Sequence, residues 1–362
     1  MQIIDTQKKL DESLCEINAS TIIGVDTEFI RADTFWPKLC IIQISTKSNY
    51  YLIDALLNLN YLGLWEALAN ESITKVIHSS RQDVEAIFYI SKKIPYPIFD
   101  TQLAAMFTGF RESISYAQIV EDVFQIKLDK KLQYSDWSTR PIDREMFDYA
   151  KDDVRYLIPI FEYLSVKLDS QSKTEWFLEE TESLHKVSIK LSEKMTKPMH
   201  AIGQKIREGH DPLSSVREFR DEIASCYNIP RKNVLSDSDL IEMLQINIDN
   251  IDDLKNHLKE NKLFTGNLDL LSKLWRFIDA IGNNKRIKHD KKMLSKNQKL
   301  TLKSLNKVLE NSANKYNICP HIIATQSDLK AYINKGNDYT KFITGWRNSA
   351  FGKDACAILN EL

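Results

Sequence analysis

Four carboxylates and one phenol stand out in this chain for their spacing. Asp26-Thr27-Glu28-Phe29 closes the apolar run at residues 21–25. Residues i and i+2 of a strand share a face, so Asp26 and Glu28 project together from a strand end. Two neighbouring carboxylates repel unless a cation, an ion pair or a shared proton relieves them. Asp83 follows in His78-Ser79-Ser80-Arg81-Gln82-Asp83, where a second apolar run ends and a helical pattern begins. An acid there also complements the positive end of a helix, so on its own it reads equally well as structural. Tyr149 and Asp153 lie four apart and share a helical face, with Asp152 turned off it. Each group alone matches an ordinary solvated surface. Together, acids from a strand end, a helix start and a late helix can converge where an α/β fold places its ligand site. A cluster of carboxylates alone suits hard cations such as magnesium or manganese.

The elements that must position these residues show in the apolar pattern. Strand-length runs rich in β-branched and aromatic residues occur near 21–26, 39–44, 50–53, 75–78 and 98–100. Helical patterns occupy 61–69, 81–90, 116–124 and 144–168. Three closely spaced strands followed by strands separated by helices predict an α/β domain, a mixed sheet with flanking helices. From about residue 174 onward the helical period takes over. A connector helix is predicted over 174–195, ended by Pro198. Beyond it the chain repeats itself: Ala224, Tyr227-Asn228-Ile229 and Asp239-Leu240 recur as Ala313, Tyr316-Asn317-Ile318 and Asp328-Leu329, an offset of 89 residues. Trp275-Arg276 and Trp346-Arg347 close the two copies. Two all-α helical domains are therefore expected after the sheet.

Composition excludes several classes. The 362 residues are 43% hydrophobic and 27% charged, the balance of a globular protein rather than a disordered chain or a membrane bundle. No stretch approaches the ~18 apolar residues that read as a membrane span. The start, Met1-Gln2-Ile3-Ile4-Asp5, has no signal-like apolar region, so a cytoplasmic protein is expected. Five dispersed cysteines without a C-x-x-C pair, and histidines without an i, i+4 pair, offer zinc no ligand set. The net charge of −1 hides an asymmetry. Residues 1–200 carry 23 basic and 30 acidic side chains, whereas residues 201–362 carry 26 and 20. An acidic body joined to a basic one suggests a cation-binding part tethered to a part that binds a polyanion. Basic charge peaks over 285–303, where Lys285, Arg286, Lys288, Lys291, Lys292, Lys296, Lys299 and Lys303 face only Asp290.

The ordered set Asp26-Thr27-Glu28-Phe29, His78-x4-Asp83 and Tyr149-x3-Asp153 resembles the three exonuclease motifs of the DEDD superfamily, tyrosine subclass. Leu128-Asp129-Lys130 and Ser135-x-Trp137 ahead of the third motif strengthen the likeness. The paired helical repeats look like HRDC-type domains, the first through Arg217-Glu218-Phe219-Arg220-Asp221-Glu222-Ile223-Ala224, Ile229-Pro230 and Val234-Leu235-Ser236-Asp237, and the second keeping only a skeleton of it. The whole layout is similar to the ribonuclease D family.

That resemblance implies a ribonuclease H-like exonuclease domain with its connector over 1–197, a first HRDC-type domain over 198–286 and a second, divergent one over 287–362. It implies two divalent metal ions, magnesium or manganese, with Asp26, Glu28 and Asp153 ligating the first, Asp26 bridging to the second, and Asp83 supporting the second through water. Tyr149 would orient the attacking water, since a neutral phenol of pKa about 10 is a poor base. The implied reaction removes nucleoside 5′-monophosphates from RNA 3′ ends, with precursor tRNA and other stable RNAs as substrates, no obligatory protein partner and a monomeric enzyme. Nucleic-acid contacts are expected from His78, Lys130, Trp137, Lys285, Arg286, Lys288, Lys291 and Lys292. His78 reads equally as a satisfied strand-end histidine. A DNA 3′ end and a non-catalytic nucleic-acid scaffold are the alternative readings. Truncation after about residue 197 is expected to leave an active but less processive or less tightly bound nuclease.

If the basic run contacts phosphates, RNA affinity falls steeply with salt. Changing Lys288, Lys291 and Lys292 to Gln should then reduce the slope of log affinity against log salt by roughly 0.7–0.9 per true contact. Identical slopes for the two proteins would return the run to a solvated linker.

Overall fold

The computed structural model describes residues 1–129, 131–132, 135–195, 212–246, 248–282, 294–336 and 340–360. These divide into two compact units, Met1–Phe29 with Leu39–Ile189 and Leu294–Leu362, and Ile30–Lys38 with Lys190–Met293.

The first unit is built on a six-stranded mixed sheet. In chain order it runs β1 (Gln2–Ile4), α1 (Gln7–Ala19), β2 (Ile22–Ile30), β3 (Lys38–Ser45), β4 (Tyr50–Asp54), α2 (Leu62–Ala69), β5 (Thr74–Ile77), α3 (Arg81–Ser91), β6 (Ile98–Asp100), α4 (Thr101–Phe107) and α5 (Tyr116–Phe124). The strands lie in the order β1-β4-β3-β2-β5-β6. β3 pairs antiparallel with β4, whereas β1 with β4, β2 with β5 and β5 with β6 are parallel. The expected mixed sheet with flanking helices is what forms. Alternation along β2 feeds two cores: Ile23 and Val25 pack with Leu10, Ile17, Leu64 and Leu68 of α1 and α2, and Ile22 packs on the opposite face with Val76 and Leu157.

The periodic stretch 144–168 is two helices, α6 (Arg144–Arg155) and α7 (Leu157–Ser170). Pro159 explains the break: in a continuous helix its ring would meet the carbonyl of Arg155, four residues back, whereas in the first turn of a new helix it is tolerated. Tyr116 seals the junction, its hydroxyl donating to the Asp152 carbonyl at 2.8 Å and accepting from Tyr156 N–H at 3.0 Å. The connector follows as α8 (Thr174–Met195).

The two repeats fold alike. In the second unit, α9 (Pro212–Tyr227) ends at Asn228 with φ +50, and then come a short α10 (Arg231–Val234) and α11 (Asp237–Gln245), started by a Ser236–Asp239 capping box. It continues through α12 (Ile251–His257), α13 (Lys262–Thr265) and α14 (Leu268–Gly282). In the first unit, α15 (Lys296–Tyr316) ends at Asn317 with φ +48, followed by α16 (Pro320–Ile323) and α17 (Gln326–Lys335), started by a Thr325–Asp328 capping box. The Tyr-Asn-Ile repeat thus marks a left-handed helix stop, a conformation that Asn tolerates well.

The segment 294–360 does not stand apart from the sheet. Leu305, Leu309, Ile323, Trp346 and Phe351 share one core with Phe99, Phe107, Ile160 and Phe177. Trp346 packs on Phe107 at 5.0 Å between ring centroids and stacks on Trp176 at 5.3 Å. Buried Lys173 donates to the carbonyls of Phe107 at 2.7 Å and Asn317 at 2.9 Å. Where a separate third domain was expected over 287–362, the residues described from 294 onward complete the core of the sheet-bearing unit.

This packing reverses the expectation for truncation. Removing everything after 197 re-exposes Phe107, Phe177 and their neighbours, at roughly 1.5–3 kcal/mol for each large side chain. The fragment should melt lower by about 10 °C or more, or aggregate. Thermal unfolding of the fragment beside the full chain checks this, and equal melting temperatures would contradict the shared core.

Candidate active site

β2 delivers Asp26 and Glu28 to one face, and α6 delivers Asp153 toward them. Carboxylate oxygens of Asp26, Glu28 and Asp153 lie within 4.8 Å of one another. Close approach of helix and sheet makes this possible. Gly24, two residues before Asp26, has no side chain where a Cβ would collide with Ser45 Oγ and Leu157. Ser45 Oγ in turn donates to the Val154 carbonyl at 2.9 Å, tying α6 to β3 next to Asp153.

Asp83 stands outside the trio. It lies in the first turn of α3, buried, and accepts a 2.6 Å hydrogen bond from Thr27 Oγ1. Thr27, between the two acids of β2, points to the opposite face and holds Asp83 from there. The turn that aims α3 is pinned by Asp100, which accepts from Ser79 N–H, Ser80 N–H and Ser80 Oγ at 2.8–3.2 Å. Asp100 also caps α4 through Gln102 and Leu103 N–H. Ser79 sits at φ +61, a backbone cost that these bonds offset. Neither Thr27 nor Asp100 stands out in the sequence. Thr27 looks like filler between acids, and Asp100 like the last residue of a strand.

The site is electrostatically frustrated without a cation. Burial first, then Asp83, Asp153 and Glu28, pushes Asp26 well above the usual carboxylate range. Burial, with Asp153 and Asp83, raises Glu28 to about 9. Asp153 rises to about 8 through burial and then Asp152, and Asp83 to about 7 through burial, partly opposed by the Thr27 hydrogen bond. Among the described residues, no lysine or arginine forms an ion pair with any of the four. Desolvated acids without a basic partner, set oxygen to oxygen, fit hard divalent cations. Tyr149, one turn before Asp153, is held firmly protonated by burial and by Asp153, Glu28 and Asp26.

Trp137 is 2% exposed, its ring 6.1 Å from that of Tyr149. A base-stacking platform needs an exposed face, so the expected nucleotide contact gives way to a packing role behind Tyr149. Arg140 holds this loop with a bidentate pair to Asp54, both contacts 2.6 Å, and a 2.7 Å bond to the Trp137 carbonyl. His78 is likewise engaged, Nδ1 with Thr101 Oγ1 at 2.9 Å and Nε2 with the Ile114 carbonyl at 3.0 Å. Burial lowers its pKa. A neutral ring donating from Nε2 and accepting at Nδ1 has no nitrogen left for a terminal nucleotide, so the satisfied strand-end histidine is the reading the structure favours. Lys130, Lys285, Arg286, Lys288, Lys291 and Lys292 lie outside the described residues.

An acid trio on a mixed sheet, with a fourth carboxylate on a neighbouring helix and a phenol one turn before the last acid, defines a nuclease of the 3′–5′ exonuclease class. Residues 1–169 match a family model described as 3′–5′ exonuclease. The chain is 32% identical to ribonuclease D of Bartonella henselae, with 98% of this chain and 89% of that protein aligned. It is 31% identical to ribonuclease D of Zymomonas mobilis, over 96% and 91%. It superposes on the crystal structure of Escherichia coli RNase D with a TM-score of 0.75 at 22% identity, covering 99% and 98% of the two chains. A protein from Bifidobacterium adolescentis gives 0.64 at 19% identity. The chain belongs to the ribonuclease D family and is a 3′–5′ exoribonuclease, of a type that uses divalent metal.

The raised acids predict how stability follows pH. An acid with a folded pKa above its unfolded value of about 4 takes up protons on folding. With metal chelated, stability should therefore fall as pH rises from about 4 toward 9. Added magnesium or manganese should raise the melting temperature more at about pH 8.5 than at about pH 5, where protons compete. Asp26→Asn should flatten the decline and melt higher than wild type at alkaline pH without metal. A pH-independent melting temperature in chelator would contradict the frustration described above.

Proposed function

We propose that Asp26, Glu28, Asp83 and Asp153 hold two divalent ions, magnesium or manganese, and that Tyr149 orients the attacking water for hydrolysis at RNA 3′ ends. The observation that carries this reading is the trio of carboxylates within 4.8 Å, lacking any basic partner among the described residues. Held by these four acids, the ions would lower the pKa of a bound water and would stabilise the charge that develops on the leaving 3′ oxygen. The chain's own residues supply the rest. Four acids fix the ions against their mutual repulsion, and the fold bears the repulsion when the ions are absent. Tyr149, kept as a phenol, exchanges hydrogen bonds with water or phosphate but does not remove a proton. Trp137 behind it limits its movement.

The substrate in this reading is precursor tRNA and other stable RNA, cut to nucleoside 5′-monophosphates by a monomer in the cytoplasm. Support comes from the ribonuclease D relatives and from the Escherichia coli protein, described as an exoribonuclease involved in structured RNA processing. Five dispersed cysteines without a C-x-x-C pair, and the absence among the described residues of a helix long and apolar enough to cross a membrane, accord with that setting. The basic run over 285–303 would add phosphate contacts.

A 5′-labelled tRNA precursor should be shortened stepwise only with magnesium or manganese, and faster than single-stranded DNA. Asp153→Asn should abolish this. Tyr149→Phe should slow single-turnover hydrolysis by about 10²–10⁴-fold with metal and RNA still bound, and Asp152→Asn should be nearly silent. Normal turnover by Asp153→Asn, or wild-type single-turnover rates for Tyr149→Phe, would remove the corresponding role.

A further inference from the structure

Gln43 sits in the middle of β3 with its side chain fully buried, yet neither end of its amide has a hydrogen-bond partner among the described residues. An unpaired buried amide works against folding, and its retention calls for another use. The pleat shows where it points. Ile42 and Ile44 join the core beneath α1 and α2, so Gln43 lies on the other face, together with Ser45. Gly24 and Ser45 are cross-strand neighbours, because a Cβ on Gly24 would strike Ser45 Oγ. β2 and β3 adjoin in the sheet and are joined only by residues 31–37. That connection is too short for a parallel crossover, so the two strands run antiparallel. Two residues on from Gly24 and two back from Ser45, Asp26 and Gln43 therefore stand directly opposite each other on one face. Such pairs have Cβ atoms about 4.5–5.5 Å apart, within reach of a glutamine.

We infer that Gln43 is a positioning residue of the metal site: its amide N–H, otherwise without a partner among the described residues, is placed to donate to the Asp26 carboxylate once a divalent cation is bound, fixing the direction in which that carboxylate meets the cation. The inference rests on the reading of Asp26 as a metal ligand. A neutral donor suits the task. It orients the carboxylate without cancelling its charge, whereas a lysine or arginine at the same place would compete with the cation. Hydrogen-bond partners behind metal ligands are typically worth about 10–100-fold in metal affinity.

Gln43→Met preserves length and removes both polar ends. Manganese binding to the full-length protein without RNA, measured by paramagnetic resonance of the free ion, is compared for wild type, Gln43→Met and Asp26→Asn, with thermal unfolding in chelator alongside. The expected result is a manganese Kd raised about 10–100-fold in Gln43→Met, with a metal-free melting temperature equal to or above wild type. Unchanged manganese affinity in Gln43→Met, while Asp26→Asn loses binding, overturns the role of Gln43 and leaves the metal site standing. A metal-free Gln43→Met protein melting well below wild type overturns it too, since the amide would then serve the fold. Full manganese binding by Asp26→Asn overturns the metal reading itself.

Discussion

Repulsion among buried carboxylates is the constraint around which this molecule is organised. Asp26, Glu28 and Asp153 are brought oxygen to oxygen, with Asp83 close by and, among the described residues, no basic side chain to relieve them. A loose surface would let these acids separate into solvent. Here each is mounted on an element that cannot withdraw: β2 is an interior strand of the sheet, and α6 is tied to β3 through Ser45 and to α5 through Tyr116. The stability spent on holding like charges together draws positive charge to the site, as the raised proton affinity of these acids shows, and a divalent cation would relieve more of that repulsion than a proton.

The supports follow from that need. Gly24 lets the α6–α7 region approach the sheet, Pro159 ends α6 shortly after Asp153, and Tyr116 bonds both sides of the resulting break. On the other side, Asp100 gathers the backbone of the β5–α3 turn, and Thr27 fixes Asp83. The Asp54–Arg140 pair secures the loop that places Trp137 behind Tyr149. These contacts are local, polar and largely buried, the kind that make an arrangement rigid rather than merely stable. The packing of 294–360 into the core of α4, α7 and α8 extends the same rigidity. In this family member the last helical segment is part of the scaffold that holds the nuclease together.

Much of this was legible in the sequence. Strand alternation puts Asp26 and Glu28 on one face, helical spacing puts Tyr149 with Asp153, and the 89-residue repeat of Tyr-Asn-Ile marks two equivalent helix stops. These are properties of local period and of backbone preference, which a chain carries wherever it folds. The mixed sheet followed by helices is legible for the same reason. Pro159 was an available signal for the break in the 144–168 helix, overridden in the pattern by strong apolar periodicity on both sides.

Tertiary structure alone decided the rest. Whether Trp137 and His78 face a nucleotide or the interior depends on which surfaces are covered, and contacts beyond the local segment decide it: Tyr149, and Asp54 through Arg140, near one, Thr101 and Ile114 on the other. That 294–360 joins the catalytic core is likewise decided by apolar faces meeting across the chain, since an amphipathic helix carries no label for its partner. Thr27, Asp100 and Gln43 acquire meaning only through long-range contacts or position across a sheet. Periodicity determines what a segment becomes and which way its side chains point, whereas burial, and with it every raised pKa in the site, exists only once distant segments have excluded water together.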